Sequence, residues 1–315
     1  MRCALLLVVI AFAVRAETTS YDLRGRLVPP ARASVWLHGA TAPFEASTLA
    51  GDDGHFRFRA IAAGTYTLGA FVPGRGEMHR TIEVGPSQSD AQKRIELTLT
   101  VQDGEFESHD SVRRSAMVSA KELAIPERAR REYEQAEKKL ARREVEEAVT
   151  HLNRAVELAP QFAVAWNHLG TIAYQTRDYS RAETCFLKAL DADPDFFQPL
   201  VNLGGALISL RKFDEALQYN LYAALTRPTD ALANSQLGLN YFYLNRLDQG
   251  SKYLTLAKKL DPAHFSHPQL VLAEIALRRH DGAAALSELE EFLRYHPDAP
   301  EATRIKADIE KLRAP

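Results

Sequence analysis

Few side chains in this 315-residue sequence stand at spacings that would support covalent chemistry. His264 and His267 lie three residues apart ahead of Pro268, but two histidines without a third ligand at a defined distance do not make a zinc site. Neither H-x-x-E nor H-E-x-x-H occurs, and G-x-S-x-G, the P-loop and G-x-G-x-x-G are all missing. Of the two cysteines, Cys3 falls in an apolar leader. Cys185 adjoins Phe186, where a small packing residue is expected rather than a nucleophile. No catalytic residue, metal or cofactor is assigned, and the chain is expected not to be an enzyme. The remaining chemistry is hydrogen bonding by Asn and Gln, which both donate and accept. What those amides do depends on the elements that carry them.

Hydrophobic residues make up 46% and charged residues 25%, as in a folded chain. A formal net charge of −2 gives no global attraction to nucleic acid or to an anionic membrane. Residues 1–16, MRCALLLVVIAFAVRA, have a positive Arg2 and an apolar run over 4–14. Val14 and Ala16 then sit at −3 and −1 before Glu17, the pattern of a cleaved secretory signal. As a helix that run would rise only about 16 Å, too short for the bilayer core. The expectation is a periplasmic or secreted protein, cut after Ala16, with no stable membrane insertion.

From residue 17 the apolar period becomes two. Segments 21–28, 33–37, 55–59, 65–72 and 94–101 alternate, and 45–49 and 78–84 add two more. Pro29-Pro30, 51–54, Ala63-Gly64 and 73–76 supply turn chemistry between them. Seven short strands with regular turns predict a compact sandwich over 17–102. Gly25-x-Leu27-Val28, then Asp53-Gly54-x-Phe56-x-Phe58, Ile61, Gly64-x-Tyr66-x-Leu68, resembles the carboxypeptidase regulatory-like (transthyretin-like) domain family. That resemblance implies a prealbumin-like fold and an accessory role, not a peptidase. It also raises a second possibility, a glycan surface on Trp36, Tyr66 and Phe71. Residues 103–126 have little period and read as a linker, with Pro126 suited to the first helical position.

Beyond the linker, prolines recur at Pro160, Pro194, Pro228 and Pro262, three intervals of 34 residues, and again at Pro297. On that ladder stand Trp166, Leu169-Gly170, Ala182, Phe186 and Ala189; then Leu203-Gly204, Ala216 and Ala223; then Leu237-Gly238, Leu254 and Ala257. The stretch from Trp166 to Pro194 resembles the tetratricopeptide (TPR) repeat, with its aromatic Tyr174 one residue late. Five units are expected, at about 129–162, 163–196, 197–230, 231–264 and 266–299, with 300–315 as a capping helix. The glycines would let paired helices approach closely, and stacking would bury what one unit leaves wet. The overall expectation is an all-β sandwich followed by an α-α solenoid.

The resemblance further implies that the first helix of each pair lines a concave groove. By position those inward residues are Asn167, His168, Thr171 and Tyr174, then Asn202, then Ser235, Gln236, Phe242 and Tyr243. A ladder of amides would hold the backbone of an extended peptide, and the aromatics would anchor its side chains. Lys and Arg do not occupy these sites, so capture of a peptide's terminal carboxylate is not expected. The functional expectation is an exported scaffold for a protein or peptide partner.

Overall fold

A computed structural model describes residues 19–100 and 124–313. The expected leader, and the expected linker up to residue 123, lie outside these residues. Seven strands come first: β1 (Ser20–Val28), β2 (Ala33–Gly39), β3 (Glu45–Ala50), β4 (His55–Ala62), β5 (Gly64–Val72), β6 (Gly76–Val84) and β7 (Arg94–Thr100). They form two sheets in the orders β4-β1-β7 and β3-β2-β5-β6. All pairings are antiparallel except β1 with β7. The alternation read from the sequence is the inside–outside pattern of this sandwich. Leu23, Leu27, Val35, Leu37, Phe56, Phe58, Tyr66 and Leu68 fill the space between the sheets. The Phe56 ring lies over Gly25, where any Cβ would collide with it. Gly54 turns the β3–β4 connection at φ +74°, a conformation that favours glycine.

The other face of the four-stranded sheet carries Trp36 and His38 from β2, Thr67 and Gly69 from β5, and Glu77, His79, Thr81 and Glu83 from β6. The pleat places these residues opposite the core-facing ones. It is a polar face by composition, and read alone it would point to water.

Eleven helices follow among the described residues. They are α1 (Glu127–Ala141), α2 (Val145–Leu158), α3 (Ala163–Gln175), α4 (Tyr179–Ala192), α5 (Phe197–Ser209), α6 (Phe213–Thr226), α7 (Ala231–Tyr243), α8 (Leu247–Leu260), α9 (Pro268–Arg278), α10 (Gly282–Tyr295) and α11 (Ala302–Arg313). The first ten make five antiparallel pairs, and α11 packs on α10. Each proline of the ladder lies two residues beyond the second helix of its pair, where its ring ends further helix. Pro126 itself is the N-cap of α1, one position earlier than the sequence suggests.

Close approach within the pairs rests on the expected glycines. A Cβ on Gly170 would strike the Phe186 ring, and one on Gly204 would strike the Asn220 amide. Between the two helices of each pair one residue turns left-handed. These are Arg143, Arg177, Arg211, Asn245 and His280, at φ of 60°, 66°, 62°, 56° and 60°. They repeat on the same 34-residue ladder, so a mildly strained turn is built into every unit.

The sandwich is not a detached spacer. Its polar sheet face sits against the inner side of the solenoid and is bonded near both ends. Near the N-terminal end, Arg143 Nη2 donates to the Tyr66 hydroxyl (2.6 Å) and its guanidinium lies 4.8 Å over the Phe44 ring. Gln175 Nε2 donates to the Gly39 carbonyl (2.8 Å). Near the C-terminal end, Arg80 Nη1 donates to the Leu260 carbonyl (3.2 Å), and the Thr81 N–H donates to Asp261 Oδ2 (3.1 Å). The Ser87 N–H donates to Asp298 Oδ2 (2.9 Å), and His296 Nδ1 pairs with Glu83.

Candidate interaction groove

Helices α3, α5 and α7 supply the inner wall between these two sets of contacts. Their inward residues and the outer face of the sandwich enclose a cavity of about 1060 Å³. The solenoid side presents Tyr174, Asn202, Ser209, Phe213, Gln236 and Tyr243, and the sandwich side presents His38, Thr67, Glu77 and His79. One wall is therefore rich in aromatic rings and the facing wall is polar.

Of the residues the sequence nominates, Thr171, Tyr174, Asn202, Ser235, Gln236 and Tyr243 line this cavity. Tyr174 is 37% exposed and meets Tyr179 edge-on. Tyr243 is 50% exposed and stacks on Phe213 with centroids 4.9 Å apart. The Asn202 amide donates to Asn167 Oδ1 (3.2 Å), which links two adjacent units across the groove floor. The Gln236 amide covers Gly205, and its buried Oε1 has no hydrogen-bond partner among the described residues. The Ser235 and Ser266 hydroxyls bond at 2.6 Å, and His264 Nδ1 accepts from the Ser266 N–H (3.2 Å).

Three nominated residues are engaged elsewhere. Asn167 is buried beneath Asn202. His168 is closed between the Tyr133 ring, at 5.3 Å between centroids, and Glu45 Oε2 at 3.7 Å. Phe242 packs in the α8–α9 core with the Arg278 guanidinium 4.4 Å over its ring. His168 is thus a joint between the domains. Burial holds its pKa below the ordinary histidine value. Burial pushes the Glu45 carboxyl up, but the His38 hydrogen bond and the nearby His168 take it down to about 2.

The sequence pattern does not disclose the sandwich wall, nor Arg177 and Arg211, whose left-handed turns place them on the cavity rim. Only the 34-residue recurrence of Arg143, Arg177, Arg211 and Asn245 signals such a position. The carboxyl of Asp230, also on the rim, is pushed up by burial while it caps α7 by accepting from the Ala233 N–H (2.7 Å). Cys185 is buried, and burial raises its thiol pKa. His264 and His267 come close to His296, yet the described residues include no group of three or more His, Cys, Asp or Glu placed to hold a metal ion. Two of the aromatics considered for a glycan surface, Tyr66 and Trp36, do not form an open platform. Tyr66 is buried with its hydroxyl bonded to the Ala62 carbonyl, and Trp36 lies over Gly69.

Fold and groove together define a helix-pair solenoid with an interaction face. Tetratricopeptide repeat models match residues 133–195, 169–231 and 270–310, and a further one matches 231–264, together more than half of the chain. The chain belongs to the tetratricopeptide repeat family. It is 26% identical over 223 residues to human Tetratricopeptide repeat protein 5, covering 65% of this chain and 47% of that protein. It is 26% identical over 156 residues to Anaphase-promoting complex subunit 3 of Schizosaccharomyces pombe, covering 50% and 23% respectively. The chain thus spans less than half the length of these curated relatives. Among solved structures it resembles PilW, described as a widely conserved type IV pilus biogenesis factor. There the TM-score is 0.53 at 18% identity, over 59% of this chain and 86% of that one. Pseudomonas aeruginosa pilF gives a TM-score of 0.50 at 21% identity, over 59% and 84%. At these identities the structures establish the shared fold.

Proposed function

We propose that this protein is a non-enzymatic scaffold, exported from the cytoplasm, that binds a protein or peptide partner in the groove of its repeat array. The observation that carries this reading is the cavity of about 1060 Å³ on the inner face of the solenoid, where half-exposed rings stand beside amides that both donate and accept. One curated relative is by its name a subunit of a complex, which agrees with an interaction role. The N-terminal sandwich is read as a carboxypeptidase regulatory-like domain in an accessory role. Among the described residues no helix is long and apolar enough to cross a membrane.

Crosslinking of the full-length protein in its native cells, followed by purification, tests the groove. Asn202→Ala, Gln236→Ala and Tyr243→Ala together are expected to lose the principal crosslinked partner. Retention of every partner by a folded triple variant would sink the assignment. Export is tested by fractionation and N-terminal sequencing of the mature chain, with Glu17 expected as the first residue. An uncut chain in the cytoplasm overturns it.

A further inference from the structure

The sandwich touches the solenoid near both ends, at Arg143 and Gln175 and again at Leu260, Asp261, His296 and Asp298. Between those contacts it spans the inner face rather than filling it, which leaves the cavity bounded on two sides. We infer that the binding site is composite. The outer face of the four-stranded sheet, around Thr67 and the β2–β3 loop, is its second wall, and the occupant is an extended, net-acidic peptide segment with an apolar anchor. This rests on the groove reading above and adds both a wall and a partner chemistry to it.

The apolar anchor follows from Tyr174 and from the Phe213–Tyr243 stack, which remain partly exposed inside the cavity. Such rings gain most when a partner side chain covers them. The extended form follows from spacing. Asn202 and Gln236 sit on first helices of adjacent units, and packed helices stand about 8–10 Å apart. An extended chain advances about 3.3 Å per residue, so every third residue meets the next amide.

The acidic character follows from charge. Arg177, Arg211 and Lys259 border the cavity, and none makes an ion pair among the described residues. The bordering carboxylates are already committed. Asp230 caps α7, Asp261 accepts the Thr81 N–H, and Glu77 pairs with His79 at 2.8 Å. A partner carboxylate therefore finds uncompensated cations, and a partner lysine finds none of these carboxylates vacant.

The test pans a displayed library of random decapeptides against the full-length protein and measures the enriched peptides on variants. The expected winners combine Asp or Glu with an aromatic or large aliphatic residue, and they weaken as salt is raised. Thr67→Trp and, from the exposed loop, Thr41→Trp are expected to weaken them at least tenfold with the thermal midpoint unchanged. Peptides that keep full affinity for both Trp variants yet lose it with Tyr243→Ala leave the groove standing and overturn the second wall. Winners rich in lysine overturn the acidic assignment. A library that yields no binder overturns the groove reading and this inference together.

Discussion

Replacing Arg143 by methionine tests whether docking onto the solenoid stabilises the sandwich. Methionine preserves the packing of the arginine stem and the same left-handed turn, so the change is confined to the guanidinium. That group donates to the Tyr66 hydroxyl at 2.6 Å and lies 4.8 Å over the Phe44 ring. Tyr66 keeps its own donation to the Ala62 carbonyl (2.9 Å), so no buried donor is orphaned. A hydrogen bond from a charged donor contributes about 1.5 kcal/mol at the low end that suits a part-buried site. The cation–π contact adds about 1 kcal/mol. The sum, roughly 2–3 kcal/mol, weakens docking about 30- to 150-fold.

The chain has two tryptophans, Trp36 in the sandwich and Trp166 in the solenoid. With Trp166→Phe the fluorescence reports the sandwich alone. A loss of roughly 2–3 kcal/mol should lower its urea midpoint by about 1–1.5 M at an m-value of about 2 kcal/mol/M. A Trp36 midpoint unchanged by Arg143→Met would refute the claim that the solenoid holds the sandwich through this contact.

Acid should destabilise the fold through His264, whose pKa burial depresses to about 3, with His267 and His296 adding to the effect. An unfolded histidine binds its proton near pH 6.5 and the folded one does not, so stability is full above that pH and falls as pH drops towards 3. At pH 5 this amounts to about 2 kcal/mol relative to pH 7.5, measured by thermal melts; His264→Gln should remove this part, while His267, which burial depresses to about 4, keeps its own acid sensitivity. Burial and the nearby Glu45 raise Glu137 to about 6, an effect of opposite sign over roughly pH 4.5 to 6. Gly170→Ala gains about 1 kcal/mol of helix propensity but drives a Cβ into the Phe186 ring. Overpacking of about 1–3 kcal/mol should leave it net destabilised, and Phe186→Leu should recover part of the loss in a double-mutant cycle. Asn240→Ala strips partners from the buried Asn220 amide and from the Phe213 carbonyl. It should cost about 2 kcal/mol in urea unfolding, and an unchanged midpoint would show these amides to be satisfied by water.

Local periodicity made most of the fold legible. Alternation over 55–59 and 65–72 marks strands whose Phe56, Phe58, Tyr66 and Leu68 do form one core face. The proline ladder marks the helix pairs, and Gly170 and Gly204 mark where paired helices touch. The docking of the two domains was not legible. It is made by Glu45, Thr81 and Glu83, ordinary polar residues on a sheet face that in isolation reads as solvated. Their partners lie more than a hundred residues away in sequence, and no local period encodes such a pairing. For the same reason His168 reads as a groove residue although Glu45 reaches it from the sandwich. Phe242 falls on the groove side by its spacing along α7, but Arg278 from the next unit covers its ring.

The account depends most on the sandwich being seated in the groove, and the Thr81 amide reports that directly. Strand β6 is the edge of its sheet, so the Thr81 N–H points away from β5 and is covered only by Asp261 of the solenoid. Hydrogen exchange resolved at this amide in the full-length protein should be slow, and should become fast in Asp261→Ala while the amides of β5 stay protected. Exchange at Thr81 as fast as at an open sheet edge in the parent protein would contradict the seating, and the composite groove with it.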